Sequence, residues 1–412
     1  MTLAIAQLDV YRVNSLGQEL KVGRLAQANR QVYFQYDDDY VSQGHSLSPF
    51  RLKFSNELQM NADKAQPLQG VFADSLPDGW GLLLMDRWLR QQGYVPQQIG
   101  LLERLALVGD KGMGALRYRP AYAIADNTLL ELHELGQQAQ AIFEGHHDEV
   151  LPQLVNVGSS GGARPKALIY LNPDNQHMVS QAQQGYEPWL IKFTSNSLSL
   201  GHDEGRCEAA YLTMAAKVGI TVPEWRLYHH GQQAWLMVKR FDASSAFGRW
   251  HMHSAAGLLD ANFREPSLDY EDLIKATTQL CQSIVAAKQQ LLRALFNWYA
   301  CNMDDHSKNW AFLQNDEGQW QISPMFDVTF SPNSYGEHMT AFAGYGKNPP
   351  KKALMRLAQH AGISQWSDVE LMISHIKEVL LTWPEVSKSL GVIDSHRLMI
   401  EKALNERLCE KN

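Results

Sequence analysis

The alternation of apolar and polar positions divides the chain into three stretches. Residues 8–13 and 31–35 alternate in the manner of strands separated by turns, and a helical stretch follows around residues 79–92. Gly109, Gly112 and Gly114 space out a further strand that closes near Arg119. Leu129, Leu130, Leu132, Leu135, Ala139 and Ile142 then fall at near-helical spacing, which predicts a connecting helix within residues 127–145 and a boundary near 120–150. Past Val155, Gly158-Ser159-Ser160-Gly161-Gly162 runs into a strand at 167–171 and the turn Asn172-Pro173-Asp174-Asn175. Residues 189–193 read as a buried strand carrying one cation, Lys192, and residues 204–218 as a helix ended by Gly219. A strand at 224–228, a turn at 229–232 and an apolar strand at 234–238 read as the edge of a small lobe, ending in Lys239-Arg240-Phe241-Asp242. Beyond about Phe247 the pattern is largely helical, with one long stripe over 273–300 and further helices from Lys351 onward. Between them lie Asn302-Met303-Asp304-Asp305-His306-Ser307-Lys308-Asn309, a hairpin pattern at 310–313 and 320–322, and Met325-Phe326-Asp327-Val328. The expected class is α+β, with a β-rich subdomain over 1–120, a small lobe over 121–242 and a helical lobe over 243–412.

Length and charge narrow the field. At 412 residues the chain exceeds one core, and at about 100–200 residues per domain it should hold two or three packed units. A net charge of −7 argues against a surface dominated by nucleic-acid phosphates and points to a small-molecule or protein substrate. Cys207, Cys281, Cys301 and Cys409 show no zinc-type spacing and read as reduced thiols of a cytoplasmic protein. Residues 1–9 lack a basic start with an apolar core, and no stretch approaches the roughly 20 apolar residues that span a bilayer, so no membrane association is expected.

The chemistry-bearing residues cluster in the second half. In protein kinases a catalytic aspartate is followed five positions later by a metal-binding asparagine, and a second metal-binding aspartate arrives after a short hairpin. Asp304, Asn309 and Asp327 reproduce that spacing, and their hard oxygens suit Mg²⁺ beside a triphosphate. Upstream, in the order such a site requires, stand the Gly-rich loop at 158–162 with Arg164 and Lys166 beside it, the strand lysine Lys192, and Glu208 on the next helix as its partner. Taken singly these have plainer readings: a polar turn, a structural Gly turn, a surface lysine and a solvated glutamate. Ser159 and Ser160 offer hydroxyls on the loop, where phosphate would add charge and lock or empty the pocket. Asp304, Asp305 and His306 with His251, His253 and His338 give a competing metal-hydrolase reading, in which Lys192 and the Gly loop stay unexplained. His306 is expected instead to orient the loop by hydrogen bonding.

These residues resemble the HipA-like serine/threonine kinases of bacterial toxin–antitoxin systems over nearly the whole chain. The resemblance is carried by Ser159-Ser160-Gly161-Gly162-Ala163-Arg164-Pro165-Lys166, Trp189-Leu190-Ile191-Lys192-Phe193, the segment from Asp304 to Asn309, and Phe326-Asp327-Val328. Phe72-Ala73-Asp74-Ser75-Leu76-Pro77-Asp78-Gly79 looks like the hallmark of the family's N-terminal subdomain. The resemblance implies a bilobal protein-kinase-like fold. It implies that Asp304 is catalytic, that Asn309 and Asp327 bind Mg²⁺, and that Lys192, Gly161, Gly162, Ala163, His306 and Lys308 belong to the ATP site, with Lys239–Phe241 as the adenine hinge. It also implies autophosphorylation of the loop, on Ser159 first and Ser160 second, which ejects the loop and silences the enzyme. Family members phosphorylate aminoacyl-tRNA synthetases, arrest growth, and are restrained by a small helix-turn-helix antitoxin of HipB type, so DNA is met only through that partner. The best-known member has Gly where Asp305 stands and Gln-Glu where Arg164-Pro165 stand. The rival expectation is a catalytically inactive partner acting in transcriptional repression.

Overall fold

The computed structural model describes residues 4–29, 31–61, 63, 66–122, 132–147, 149–150, 152–155, 161–174 and 176–410. The chain forms two compact units that interleave along the sequence. The first takes Met1–Ser195, Met237–Asp260 and Leu313–Gln319; the second takes Asn196–Leu236, Ala261–Phe312 and Trp320–Asn412. The expected mixture of helix and sheet is the class observed.

In the first unit, β1 (Gln7–Val13), β2 (Glu19–Ala28), β3 (Gln31–Tyr36), β4 (Gln59–Met60) and β5 (Leu116–Arg119) form an antiparallel sheet in the order β4-β3-β2-β1-β5. Val32, Phe34 and Tyr36 are buried while the residues between them are not, the period of two that faces one side of a strand to a core. That core joins Leu8, Val10 and Phe34 to Phe72, Leu102 and Leu105. The helix Gly79–Gln91 starts right after the hallmark segment. Further along, β6 (Lys166–Leu171) pairs antiparallel with β7 (Met178–Val179) and with β8 (Glu187–Lys192), in a register that sets Lys166 opposite Lys192. β10 (Gln233–Lys239), which enters this unit at Met237, lies beside β8, so the order is β7-β6-β8-β10; β9 (Trp225–His230) belongs to the second unit. The apolar run at 234–238 lies within β10. All five of its residues are buried, the continuous pattern of a strand covered on both faces.

In the second unit, the helix Glu204–Val218 is apolar on most sides and buries Cys207, Ala209, Ala210, Tyr211 and Leu212; Gly219 stops it in the left-handed conformation at φ 93°. The single stripe expected over 273–300 is two helices, Tyr270–Cys281 and Ile284–Tyr299. Gln282 turns left-handed at φ 48°, and the Ser283 hydroxyl accepts from Ala286 N at 3.2 Å to cap the second helix. A two-residue break that returns both apolar faces to the core leaves little trace in periodicity. Two short sheets follow. Strands β13 (Ala311–Gln314) and β14 (Trp320–Ile322) are neighbours in one, and β12 (Leu268–Asp269) pairs in parallel with β15 (Thr340–Ala341) in the other; β11 (His251–Ser254) belongs to the first unit. Four helices, from Lys351–His360 to Asp394–Cys409, complete the chain. Among the described residues no helix is long and apolar enough to cross a membrane.

Candidate catalytic site

The loop after the helix Ile284–Tyr299 is held from several sides. Asp304 is exposed, and its main chain is fixed at both ends of the residue: Asp304 N donates to Ser331 Oγ at 3.3 Å, and Asn309 Nδ2 donates to Asp304 O at 2.8 Å. Ser331 Oγ in turn donates to Asn302 Oδ1 at 2.8 Å. The loop closes in a 3-10 turn, Ser307–Asn309, in which Asn309 N donates to His306 O at 2.9 Å. Because the Asn309 amide nitrogen is engaged with the main chain, its oxygen is the atom turned away, as a cation ligand must be.

His306 does not play the expected orienting part. Its ring lies 6.0 Å from that of Phe263, and its Nδ1 is buried without a hydrogen-bond partner among the described residues. Asp305, a mere departure in the sequence comparison, does the holding. It is 1% exposed and accepts from Tyr270 Oη at 2.5 Å, His338 Nδ1 at 2.9 Å and Thr340 N at 3.1 Å. Its carbonyl accepts from Trp310 Nε1 at 3.1 Å and from Thr340 Oγ1. Asn297 Nδ2 donates to Tyr270 Oη at 3.0 Å and Asn302 Nδ2 to Asn297 Oδ1 at 2.9 Å, so the network returns to the base of the loop. Burial and the adjacent Asp305 charge push the Tyr270 phenol well above its ordinary range, which keeps it a donor. Alternating Asp304 out and Asp305 in is the signal that could have shown one aspartate as chemistry and the other as anchor.

Asp327 follows the β13–β14 hairpin in the same unit, half-buried and left-handed at φ 56°, a conformation uncommon without glycine. Lys308 places its ammonium 4.3 Å over the Phe263 ring. Glu208 is 3% exposed on the helix Glu204–Val218, which removes its plain reading as a solvated residue.

The remaining predicted residues lie in the first unit. Ser159 and Ser160, with Gly158, fall outside the described residues. Gly161 and Gly162 take φ of 64° and 81°, Ala163 is exposed, and Lys192 is 8% exposed on β8 opposite Lys166, itself 3% exposed. Lys192 is thus no surface lysine. Like charges directly opposite on a sheet repel, a placement that suits an anion. Lys239 Nζ donates to Glu187 Oε1 at 2.6 Å, Arg240 N to Pro188 O at 3.0 Å, and Phe241 is half-buried.

A clamp on the Gly-rich loop was missed in the sequence. Asp78 sits at the start of the helix Gly79–Gln91 but makes no cap bond to it; its Oδ1 accepts from Gly162 N at 2.6 Å. Trp80 N donates to Gly162 O at 3.0 Å, Trp80 Nε1 to Lys166 O at 3.0 Å, and Lys166 Nζ to Gly161 O. Gly79 has φ 41°, and a Cβ there would sit 2.5 Å from Gly162 O. The two partners stand 84 residues apart, so no local pattern joins them.

The histidines of the hydrolase reading are spent elsewhere. His253 bonds Asp74 Oδ2 at 2.7 Å and Ser48 Oγ at 2.9 Å, His251 bonds Leu47 O at 2.9 Å, and His338 bonds Asp305. Asp74 also accepts from Ser254 N at 2.7 Å and Ser254 Oγ at 2.6 Å, so the hallmark segment anchors the strand and helix that follow β11's start. Among the described residues no group of three His, Cys, Asp or Glu side chains is placed to hold a metal ion.

Fold and loop together define a mixed α+β protein with an acidic loop pinned on a buried polar network. The HipA-like C-terminal domain matches residues 158–383 and the HipA N-terminal domain matches residues 15–119. The chain belongs to the HipA-like family. It is similar in structure to the Shewanella oneidensis MR-1 protein of the toxin–antitoxin complex of HipA, HipB and operator DNA, with TM-score 0.68, 17% identity, and coverage of 97% of this chain and 95% of that one. Against the Helicobacter pylori proinflammatory kinase CtkA the TM-score is 0.37, the identity 14%, and the coverage 60% of this chain and 88% of that one. No curated protein matches the chain.

Proposed function

We propose that this chain is a serine/threonine-protein kinase that transfers the γ-phosphoryl group of ATP to a protein hydroxyl. The observation that carries the reading is the Asp304 loop: an exposed carboxylate on a main chain fixed by Asn309 and Ser331, with Asp305 buried beneath it. Asp304 orients the attacking hydroxyl and accepts its proton. The amide oxygen of Asn309 and the Asp327 carboxylate are hard donors that fit Mg²⁺, which when bound neutralises charge on the phosphates. Lys192 and the main chain of Gly161, Gly162 and Ala163 receive the phosphates, with Glu208 as the partner of Lys192. The backbone from Lys239 to Phe241 holds the adenine, and His306 and Lys308 border the nucleotide. Catalysis in such a site is positioning plus electrostatics, and an aspartate buried in five hydrogen bonds is a means of positioning its neighbour.

Family membership supports the finer parts of the reading: autophosphorylation of Ser159 or Ser160, an aminoacyl-tRNA synthetase as the protein target, growth arrest, and a HipB-type antitoxin through which DNA is met. The test is incubation with γ-labelled ATP and Mg²⁺ after phosphatase treatment, comparing wild type with Asp304→Ala and mapping the 155–170 peptide. Label on Ser159 or Ser160 that falls about 10²–10⁴-fold in the variant is expected of a general base. Wild type that labels neither itself nor a synthetase mixture favours the alternative, an inactive partner in transcriptional repression.

A further inference from the structure

The first unit contains a cleft away from the Gly-rich loop, with a volume of about 540 Å³, lined by Lys111, Arg117, Arg240 and Arg249 and walled by Leu168 and Tyr170. That volume lies in the range of small-ligand sites, about 300–1,000 Å³. Its charge is the unusual feature. Arg117, Arg240 and Arg249 are 4%, 5% and 5% exposed, yet among the described residues only Arg240 is bonded to a carboxylate: it forks onto Asp242 through Nε at 2.9 Å and Nη2 at 2.6 Å. Asp242 is itself fully buried and accepts from Gly114 N at 2.5 Å.

The other two guanidiniums are held by carbonyls, with the Tyr170 side chain also on Arg249, partners that fix them without a full counter-charge. Arg117 Nη1 donates to Leu116 O at 2.7 Å and Gly114 O at 3.2 Å. Arg249 donates to Gly248 O at 2.8 Å, Ser245 O at 3.0 Å and Ala246 O at 3.1 Å, while its Nε is buried with no hydrogen-bond partner among the described residues. The acidic side chains that also line the cleft, Glu19 and Asp110, are both bridged by Arg119. Burial and repulsion by Arg249 and Arg240 pull the Arg117 guanidinium down to about 10. Three like charges share one counter-charge, and buried charges of this kind are normally paired. Planar guanidinium forks match phosphate oxygens two at a time.

We propose that this cleft binds a small phosphate-bearing anion, taken by the guanidiniums of Arg117 and Arg249 with Arg240 held in place behind them by Asp242. The site is independent of the kinase reading. Titration calorimetry of the full chain with inorganic pyrophosphate, in buffer free of divalent ions, tests it. Saturable binding is expected. Loss of one charged donor in Arg117→Gln should weaken it about 10- to 100-fold. Since a buried arginine variant can fail to fold, Ala182→Glu supplies the second arm: Ala182 is an exposed residue of the cleft wall, and a carboxylate there should weaken binding by a similar factor. Arg226→Gln, which removes a half-buried arginine of β9 that pairs with Glu224 outside the cleft, should leave it within about twofold. No binding by wild type, or binding unchanged in both Arg117→Gln and Ala182→Glu, overturns the proposal. Pyrophosphate lost in Lys192→Gln but kept in Arg117→Gln assigns it to the nucleotide site and overturns it as well, and citrate bound as tightly as pyrophosphate overturns the phosphate class.

Discussion

Replacing Asp305 by alanine leaves three buried donors, Tyr270 Oη, His338 Nδ1 and Thr340 N, without their acceptor. Tyr270 cannot simply turn round, because its oxygen already accepts from Asn297 Nδ2. Each unmet buried donor costs about 1–3 kcal/mol, and breaking one side of a buried charged network typically costs about 3–5 kcal/mol. We expect a loss of about 3–5 kcal/mol for Asp305→Ala, against a total of about 5–15 kcal/mol for a typical domain. Asp305→Asn keeps the acceptor for Thr340 N and the shape, but points an amide at two donors, so about 1–3 kcal/mol is expected. Urea unfolding followed by tryptophan fluorescence reads this locally, since Trp298 lies 5.4 Å from His338 and Trp310 lies 5.4 Å from Tyr270. With a slope of about 2–3 kcal/mol per molar, the alanine variant should shift the midpoint by about 1–2 M. Activity with labelled ATP should fall in the same order at urea concentrations where both variants are folded. A midpoint within about 0.3 M of wild type for Asp305→Ala, with Tyr270→Phe equally silent, would refute the assignment of Asp305 as the anchor.

Three further outcomes are expected. Asp242 is held at about 2 by Arg240 despite its burial; a depressed carboxylate stabilises above its unfolded value near 3.8, so about 2 kcal/mol should be lost as pH falls from about 4 to 2, and Asp242→Asn should remove that dependence in acid unfolding curves. Gly79→Ala should destabilise by about 2 kcal/mol or more, because a left-handed alanine would meet Gly162 O; the same variant should raise KM for ATP in the labelling assay if the clamp sets the loop. Gln282→Gly should stabilise by about 0.5–1 kcal/mol in thermal unfolding, since glycine takes φ 48° without the penalty that glutamine bears there.

Local pattern carried much of the architecture. The helix Glu204–Val218 with its Gly219 stop and the β13–β14 hairpin are visible because each is specified by residues within a turn or two of one another. The spacing of Asp304, Asn309 and Asp327 was legible for the same reason, although spacing gives no roles. What escaped depends on distant partners. Gln282 carries no glycine signal, so the helix break was hidden; Asp78 bonds Gly162, 84 residues away; and Asp305 looked like a variable neighbour because Tyr270, His338 and Thr340 come from distant stretches of the chain. The cleft is the extreme case, its arginines standing at 117, 240 and 249, with nothing in any one window to unite them.

The interleaving of the two units has a consequence for synthesis. The first unit takes its last residues from Leu313–Gln319, and β10 and β13 each belong to both units. A ribosome must therefore deliver residues up to Gln319 before the first unit has all its parts, by which time half of the second unit has already been made. No single cut yields either unit by itself, and a chain halted at Gln319 carries Asp304 and Asn309 but lacks Asp327. A copy halted there is for that reason a copy without its full acidic set, and no single truncation releases the first unit alone.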